Sequence, residues 1–197
     1  MMGMRIFAGV MWLSLAVAQG PSPVRVPVRV IVQTPMGEIE MEVDAAHAPL
    51  TAANFLNYVD GGLYDGGRFH RTVRPDNQVE KPVKIAVIQG AANPDRRADF
   101  LPPIALERTS VTALTHQDGA VSMARAAVDS ATHEFFICVG AQPELDFGGK
   151  RNPDGQGFAV FGRVVRGMDV VRRIQSSPAQ GETLTPPIAI TRMRRAS

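Results

Sequence analysis

Residues 28–44 constrain the fold most. Val28, Val30 and Val32 alternate with Arg29, Ile31 and Gln33. After Thr34-Pro35-Met36-Gly37, the residues Ile39, Met41 and Val43 alternate with Glu38, Glu40, Glu42 and Asp44. A period of two sends alternate side chains to opposite faces of a strand. The Pro/Gly turn between the runs reverses the chain. This predicts an antiparallel hairpin with one buried and one solvated face, the mark of an antiparallel sheet rather than a βαβ fold.

The rest of the chain fits that class. Pro49 suits the first turn of a helix, Phe55, Leu56 and Val59 form an apolar stripe, and Gly61-Gly62 ends it. Further strands are expected at Phe69–Val73, Lys84–Gln89, Ala120–Ala124, Glu134–Val139, Phe158–Val165 and Pro187–Met193, with a second helix at Met168–Gln175. The stretches Gly90–Gln117 and Phe147–Gly157 read as loops. Strands in this number favour a closed antiparallel barrel with helices over its ends, because closure removes exposed edges.

The chain of 197 residues suits one full-sized core. A net charge of +2 and the absence of basic runs interleaved with aromatics argue against a nucleic-acid partner. The start is different. Arg5 precedes an uncharged apolar run, Ile6–Ala18, which closes on Ala16-Val17-Ala18. That pattern predicts a secretory signal peptide over residues 1–18, cleaved before Gln19. The run is short for a membrane span, so no stable membrane insertion is expected after cleavage. The protein is expected to be exported, to the periplasm or the medium. Residues 19–27, with Pro21, Pro23 and Pro27, form a flexible lead-in to a domain over 28–195.

A single cysteine, Cys138, closes no intrachain disulfide, and its apolar flanks predict a buried thiol. The four histidines have no metal-ligand spacing and are assigned structural roles. No serine sits in a nucleophile-elbow motif, which argues against a hydrolase.

Several stretches then fall in order: Asn54-Phe55-Leu56, Phe69-His70-Arg71, Ile88-Gln89-Gly90, Ser122-Met123-Ala124-Arg125-Ala126, Glu134-Phe135-Phe136-Ile137 and Val160-Phe161-Gly162-Arg163-Val164. The ordered set resembles the cyclophilin family of peptidyl-prolyl cis–trans isomerases over roughly Val28 to Met193. The resemblance implies a mainly β fold, a closed eight-stranded antiparallel barrel capped by two α-helices. It implies Arg71 as the catalytic residue. Phe136 becomes the floor of a proline pocket, and Gln89 a group that bonds substrate backbone and holds Arg71. Ala124 and Arg125 line the peptide groove through their backbone, and Leu145 and Phe158 complete an apolar wall. Neither metal nor cofactor is implied. The expected partners are proline-containing unfolded or nascent polypeptides, met by a monomer that assists folding outside the cytoplasm.

The departures from the family pattern are informative. Ala86 stands where many members carry a phenylalanine. The connection from Arg71 to Gln89 is longer than usual, around Pro75–Pro82, and is a candidate for replacing that wall. Glu134 replaces a frequent glutamine and is expected in the substrate groove near Arg71, where a carboxylate either orients the arginine by a bidentate pair or competes with substrate for it. Glu144 replaces a tryptophan that helps many relatives bind cyclosporin. These changes leave open a second reading, a catalytically weak module on the same barrel that holds proline peptides as a chaperone or scaffold.

Overall fold

The computed structural model describes residues 27–196, so the expected signal peptide and nearly all of the lead-in lie outside the described residues. The elements are β1 Val28–Thr34, β2 Gly37–Val43, α1 Pro49–Asp60, β3 Arg68–Val73, β4 Val87–Ala91, α2 Thr109–Thr112, β5 Ala120–Met123, β6 Phe135–Cys138, β7 Ala159–Arg166, α3 Met168–Gln175, β8 Ala179–Gln180, β9 Thr183–Ala189 and β10 Arg192–Arg195. Two 3-10 turns, Pro94–Asp99 and Pro143–Leu145, complete them.

The β1–β2 hairpin has the expected register, with Val30 opposite Met41 and Val32 opposite Ile39. All four side chains are at most 1% exposed. Burial of this kind contributes roughly 1.5–3 kcal/mol per large aliphatic side chain. The opposite face carries Arg29 on Glu40 and Glu42, with Arg163 and Arg166 joining the same carboxylates from β7.

The expected closed eight-stranded barrel is corrected to a ten-stranded antiparallel sheet, ordered β10-β1-β2-β7-β5-β6-β4-β3-β9-β8, with no ladder joining its ends among the described residues. The expected closing strand, Pro187–Met193, is interrupted. β9 pairs with β3, then Ile190 N–H donates to Gly67 O and Thr191 N–H to Gln33 O, and β10 continues on β1. The change of partner at 190–191 makes two strands of one stretch. β4 starts later than expected because side chains take the backbone groups before it: Ile85 N–H donates to Gln78 Oε1, Ile85 O accepts from Gln78 Nε2, and Ala86 N–H donates to Gln142 Oε1. The long stretch after β4 also holds the short helix α2, unforeseen because four residues carry no period.

Core residues fall in two groups on opposite faces of the central strands. Along β6, Phe135 and Ile137 join the main core with Phe55, Phe69 and Phe161, while Phe136 and Cys138 point the other way, to Val73, Ile85, Val87, Leu145 and Val160. This second cluster underlies the site. The N-terminus of α1 has no local side-chain cap. Instead the Glu107 carboxylate, remote in sequence, accepts the Leu50 and Thr51 N–H groups at 3.1 and 2.8 Å. A carboxylate here satisfies orphan donors and complements the helix dipole.

Candidate functional site

A cavity of ≈ 380 Å³ opens above the second cluster. It is lined by Arg71, Gln89, Ala124, Arg125, Phe136, Leu145 and Phe158, seven of the eight residues expected at the site. Glu134 stands apart. It lines two neighbouring cavities instead.

Arg71 reaches the cavity through an irregularity in β3. Phe69 pairs with Gly90 and Arg71 with Gln89, so His70 is the extra residue of a bulge. A bulge re-aims the following side chain. Phe69 therefore enters the main core at 0% exposure, while Arg71 faces the cavity and His70 the adjoining one.

The guanidinium is held from both sides. Nη1 donates to Gln89 Oε1 at 2.8 Å, and Nε and Nη2 donate to Glu182 Oε2 at 2.8 and 2.5 Å. Of the five N–H bonds that arginine carries, these take three and leave one on each Nη. Gln89 is oriented in turn, because its Nε2 donates to Glu134 Oε2. The amide then presents its oxygen to Arg71. Glu134 neither pairs with Arg71 nor competes for it directly; it acts through Gln89, and Glu182 takes the place beside the cation. The segment before Glu134 is fixed from the helix side, where Asn54 Nδ2 donates to Thr132 O at 2.6 Å and Tyr64 Oη to His133 O at 2.8 Å.

Phe136 forms an apolar floor, with Phe158 edge-on at 5.5 Å between ring centroids. Beneath it the His116 ring lies nearly parallel, 10° apart in plane and 5.8 Å between centroids. His116 Nδ1 is 2.7 Å from Asp146 Oδ1, and Nε2 is 3.0 Å from Ser122 Oγ. A carboxylate only accepts, so Nδ1 carries the proton, and in the neutral ring Nε2 accepts from the Ser122 hydroxyl. An Asp–His–Ser chain usually suggests a nucleophile. Here His116 and Ser122 are both 0% exposed, with Phe136 stacked on the histidine ring. The chain is a buried brace for the pocket floor, consistent with the structural role expected for His116.

Arg125 contributes more than its backbone. Its side chain is 1% exposed and forks onto Asp154 at 2.7 and 2.9 Å. Its Nε and Nη2 also donate to Gly157 O, and its guanidinium carbon lies 5.1 Å from the Phe158 ring centroid. One arginine thus ties the glycine-rich loop to the cavity wall. Hydrogen bonds from Arg125, then from the Gln156 N–H, hold the Asp154 carboxyl at a pKa of about 2.

The wall that Ala86 lacks is supplied by Ile85 and Val87. The long connection 74–84 folds against the site, with Lys81 at the cavity. Arg151 staples it there, donating through Nη1 to Gln78 Oε1 at 2.7 Å and Val83 O at 2.6 Å. Burial, with the nearby Arg71 charge assisting, pushes the Arg151 pKa down. Arg151 and Glu182 are the site residues that sequence reasoning missed. Glu182 lies 111 residues from Arg71 in sequence, in the turn between β8 and β9, and no local pattern marks it. Glu144, expected near the groove, turns its carboxylate to the Lys150 N–H at 2.8 Å. Cys138 is buried as expected, and burial drives its thiol pKa far up.

Known proteins resemble this chain in sequence and in fold. The family model for cyclophilin type peptidyl-prolyl cis-trans isomerase/CLD matches residues 29–195. Peptidyl-prolyl cis-trans isomerase A of Dickeya dadantii is 34% identical over 94% of this chain and 90% of its own length. A peptidyl-prolyl cis-trans isomerase of Acinetobacter baylyi is 33% identical over 74% of this chain and 71% of its own. Among solved structures, a Cryptosporidium parvum cyclophilin type peptidyl-prolyl cis-trans isomerase, crystallised in the presence of the dipeptide Ala-Pro, superposes with a TM-score of 0.67 at 19% identity, over 86% of this chain and 99% of its own. This chain belongs to the cyclophilin-type peptidyl-prolyl cis–trans isomerases.

Proposed function

We propose that the protein isomerises X–Pro bonds in unfolded or nascent polypeptides after export, with Arg71 as its catalytic residue. The observation that carries the reading is the guanidinium held by Gln89 and Glu182, with two N–H bonds unspent, beside an apolar pocket floored by Phe136. Amide resonance sets a barrier of ~18–20 kcal/mol to rotation. In the twisted state that resonance is lost and the prolyl nitrogen regains a lone pair. The pocket grips the proline ring, and a fixed cation donates to the nitrogen only when the bond is twisted. Stabilising the twisted form above both planar forms is differential binding. Lowering the barrier by ~5–7 kcal/mol gives roughly 10⁴- to 10⁵-fold acceleration. No bond breaks, so the step needs neither nucleophile nor cofactor.

Gln89 has a second part in this reading, bonding substrate backbone beside Arg71, and Ala124 borders the peptide path. Export is supported by the charge and hydropathy pattern of Met1–Ala18. The protein acts as a monomer on chains with exposed prolines, where unaided isomerisation takes tens to hundreds of seconds.

A protease-coupled isomerisation assay on wild type and Arg71→Ala tests the catalytic part. Wild type is expected to accelerate isomerisation, and Arg71→Ala to lose roughly 10²-fold or more of kcat/KM while retaining its fold. A wild type no faster than the uncatalysed reaction, with peptide binding intact, would favour the chaperone or scaffold reading. The mass of the protein recovered outside the cytoplasm tests export, with a chain starting at Gln19 expected.

A further inference from the structure

We infer that the peptide groove continues past the proline pocket into a cationic subsite around Arg68 and Arg97, which selects substrates with an acidic side chain a few residues from the proline. The inference rests on the isomerase reading above and adds a substrate class to it.

The cavities adjoin one another through shared walls. Gln89, Ala124 and Arg125 line both the proline cavity and a smaller trough of ≈ 290 Å³. That trough shares Thr132, His133 and Glu134 with a third cavity of ≈ 500 Å³. A chain leaving the Phe136 pocket over Gln89 therefore passes His133 and Glu134 and enters the third cavity.

The charges at this far end are uneven. Arg68 and Arg97 line it, and neither has an ion-pair partner among the described residues. Burial, more than any nearby charge, lowers the pKa of His70 and of His133, and Arg68 and Arg97 add to it in the same direction. The lone lining carboxylate, Glu134, already accepts from Gln89 Nε2 and lies 4.0 Å from His70 Nε2. Asp99, on the same turn as Arg97, is taken by Arg96 at 2.7 Å. Two permanent cations thus face a concave space against the single carboxylate of Glu134, whose charge the neutral Gln89 amide does not cancel, and the lining keeps a net positive charge. Phe100, packed on the His133 ring at 4.2 Å between centroids, adds an apolar edge for the stem of an aspartate or glutamate.

Spacing sets the position. Arg68 and Arg71 are three residues apart on β3, but the bulge at His70 leaves them only two ladder steps apart, opposite Ala91 and Gln89, roughly 7 Å along the strand. An extended substrate covers that distance in about two residues. The carboxylate therefore belongs about two residues from the prolyl bond.

The test is a set of X–Pro peptides in which one aspartate is walked from four residues before the proline to four after it, compared with the all-alanine parent. The enzymes are wild type, Arg68→Gln, Arg97→Gln and the double variant. Wild type is expected to prefer aspartate at one or two adjacent positions by roughly three- to tenfold in kcat/KM, through KM, with the preference fading as salt rises. The double variant is expected to lose the preference while turning over the alanine parent as wild type does. Equal rates at every position, or a preference that survives in the double variant, overturns the subsite. Calorimetric binding of the same peptides reads the preference without turnover. An enzyme inactive on the alanine parent therefore counts against the isomerase reading, while the subsite still stands or falls on binding.

Discussion

Glu182 holds Arg71 by two hydrogen bonds to one carboxylate oxygen, Nε at 2.8 Å and Nη2 at 2.5 Å, on the side away from Gln89. The turn that carries it is docked on the same strand, since Thr72 N–H donates to Glu182 O at 2.9 Å. The carboxylate fixes the plane of the guanidinium and so decides where the two unspent N–H bonds point. A displacement of about 1 Å at a reacting group costs on the order of 10²-fold in rate. Glu182→Gln is expected to lower kcat by roughly ten- to a hundredfold, with KM and thermal stability nearly unchanged. Glu182→Asp, which keeps the charge at a shorter reach, should recover part of the loss. Unchanged kcat in Glu182→Gln would show that Gln89 alone positions the arginine.

The brace beneath Phe136 makes a different prediction. Removing the His116 ring leaves Asp146 and Ser122 without their shared partner and opens space under the pocket floor. An unsatisfied buried polar group costs about 1–3 kcal/mol. His116→Ala is expected to unfold at lower denaturant by an amount in or above that range, with KM raised because Phe136 loses its support. A serine-directed fluorophosphonate should leave native wild type unlabelled, since Ser122 is 0% exposed. Labelling of Ser122 in the native protein would contradict the brace.

These two cases mark how far the sequence was legible. Period-two runs and glycine stops located the hairpin, α1 and most strands, because local alternation decides which face each side chain takes. The family resemblance that those ordered stretches carry pointed to Arg71, Gln89, Ala124, Arg125, Phe136, Leu145 and Phe158, which line one cavity. What stayed hidden depends on contacts between distant segments. Glu182 meets Arg71 only through the pairing of β3 with β9. Glu107 caps a helix 56 residues away at Thr51. Ser122 was set aside for want of a local motif, yet it completes a chain with His116 and Asp146 from three separate segments. The bulge at His70 is equally silent, because it changes side-chain direction without changing composition.

Acid should loosen the wall that Arg125 braces. Asp154 titrates at about 2 in the folded protein against 3.8 as its ordinary value. A carboxyl with a depressed folded pKa binds fewer protons folded than unfolded, so its contribution is complete above pH 4 and is lost as pH falls towards 2. Melting temperature measured across this window should fall more steeply for wild type than for Asp154→Asn, which has no such proton to take up. Parallel profiles would mean that the Arg125 fork does not contribute to stability.

The staple at Arg151 ties catalysis to the long connection before β4. Its Nη1 donates to Gln78 Oε1 and Val83 O, while Gln78 Nε2 donates to Arg74 O and Ile85 O at 2.7 Å each. Ile85 forms part of the cavity wall, so the segment that lacks a strand's ladder is kept in place by side-chain bonds reaching across the groove. Breaking the staple should free the connection before it disturbs the sheet, because the core strands share none of these bonds. Arg151→Ala is therefore expected to speed amide exchange at residues 76–85 while leaving exchange in β4 and β6 unchanged. KM should rise by roughly three- to tenfold as the apolar wall is lost part of the time, a range set by charge-assisted hydrogen bonds worth about 1.5–3 kcal/mol that water partly replaces. The turnover step should hardly change, since Arg71 keeps Gln89 and Glu182. A drop in kcat with unaltered exchange would instead assign Arg151 to the twisted state itself, as a second cation acting beside Arg71.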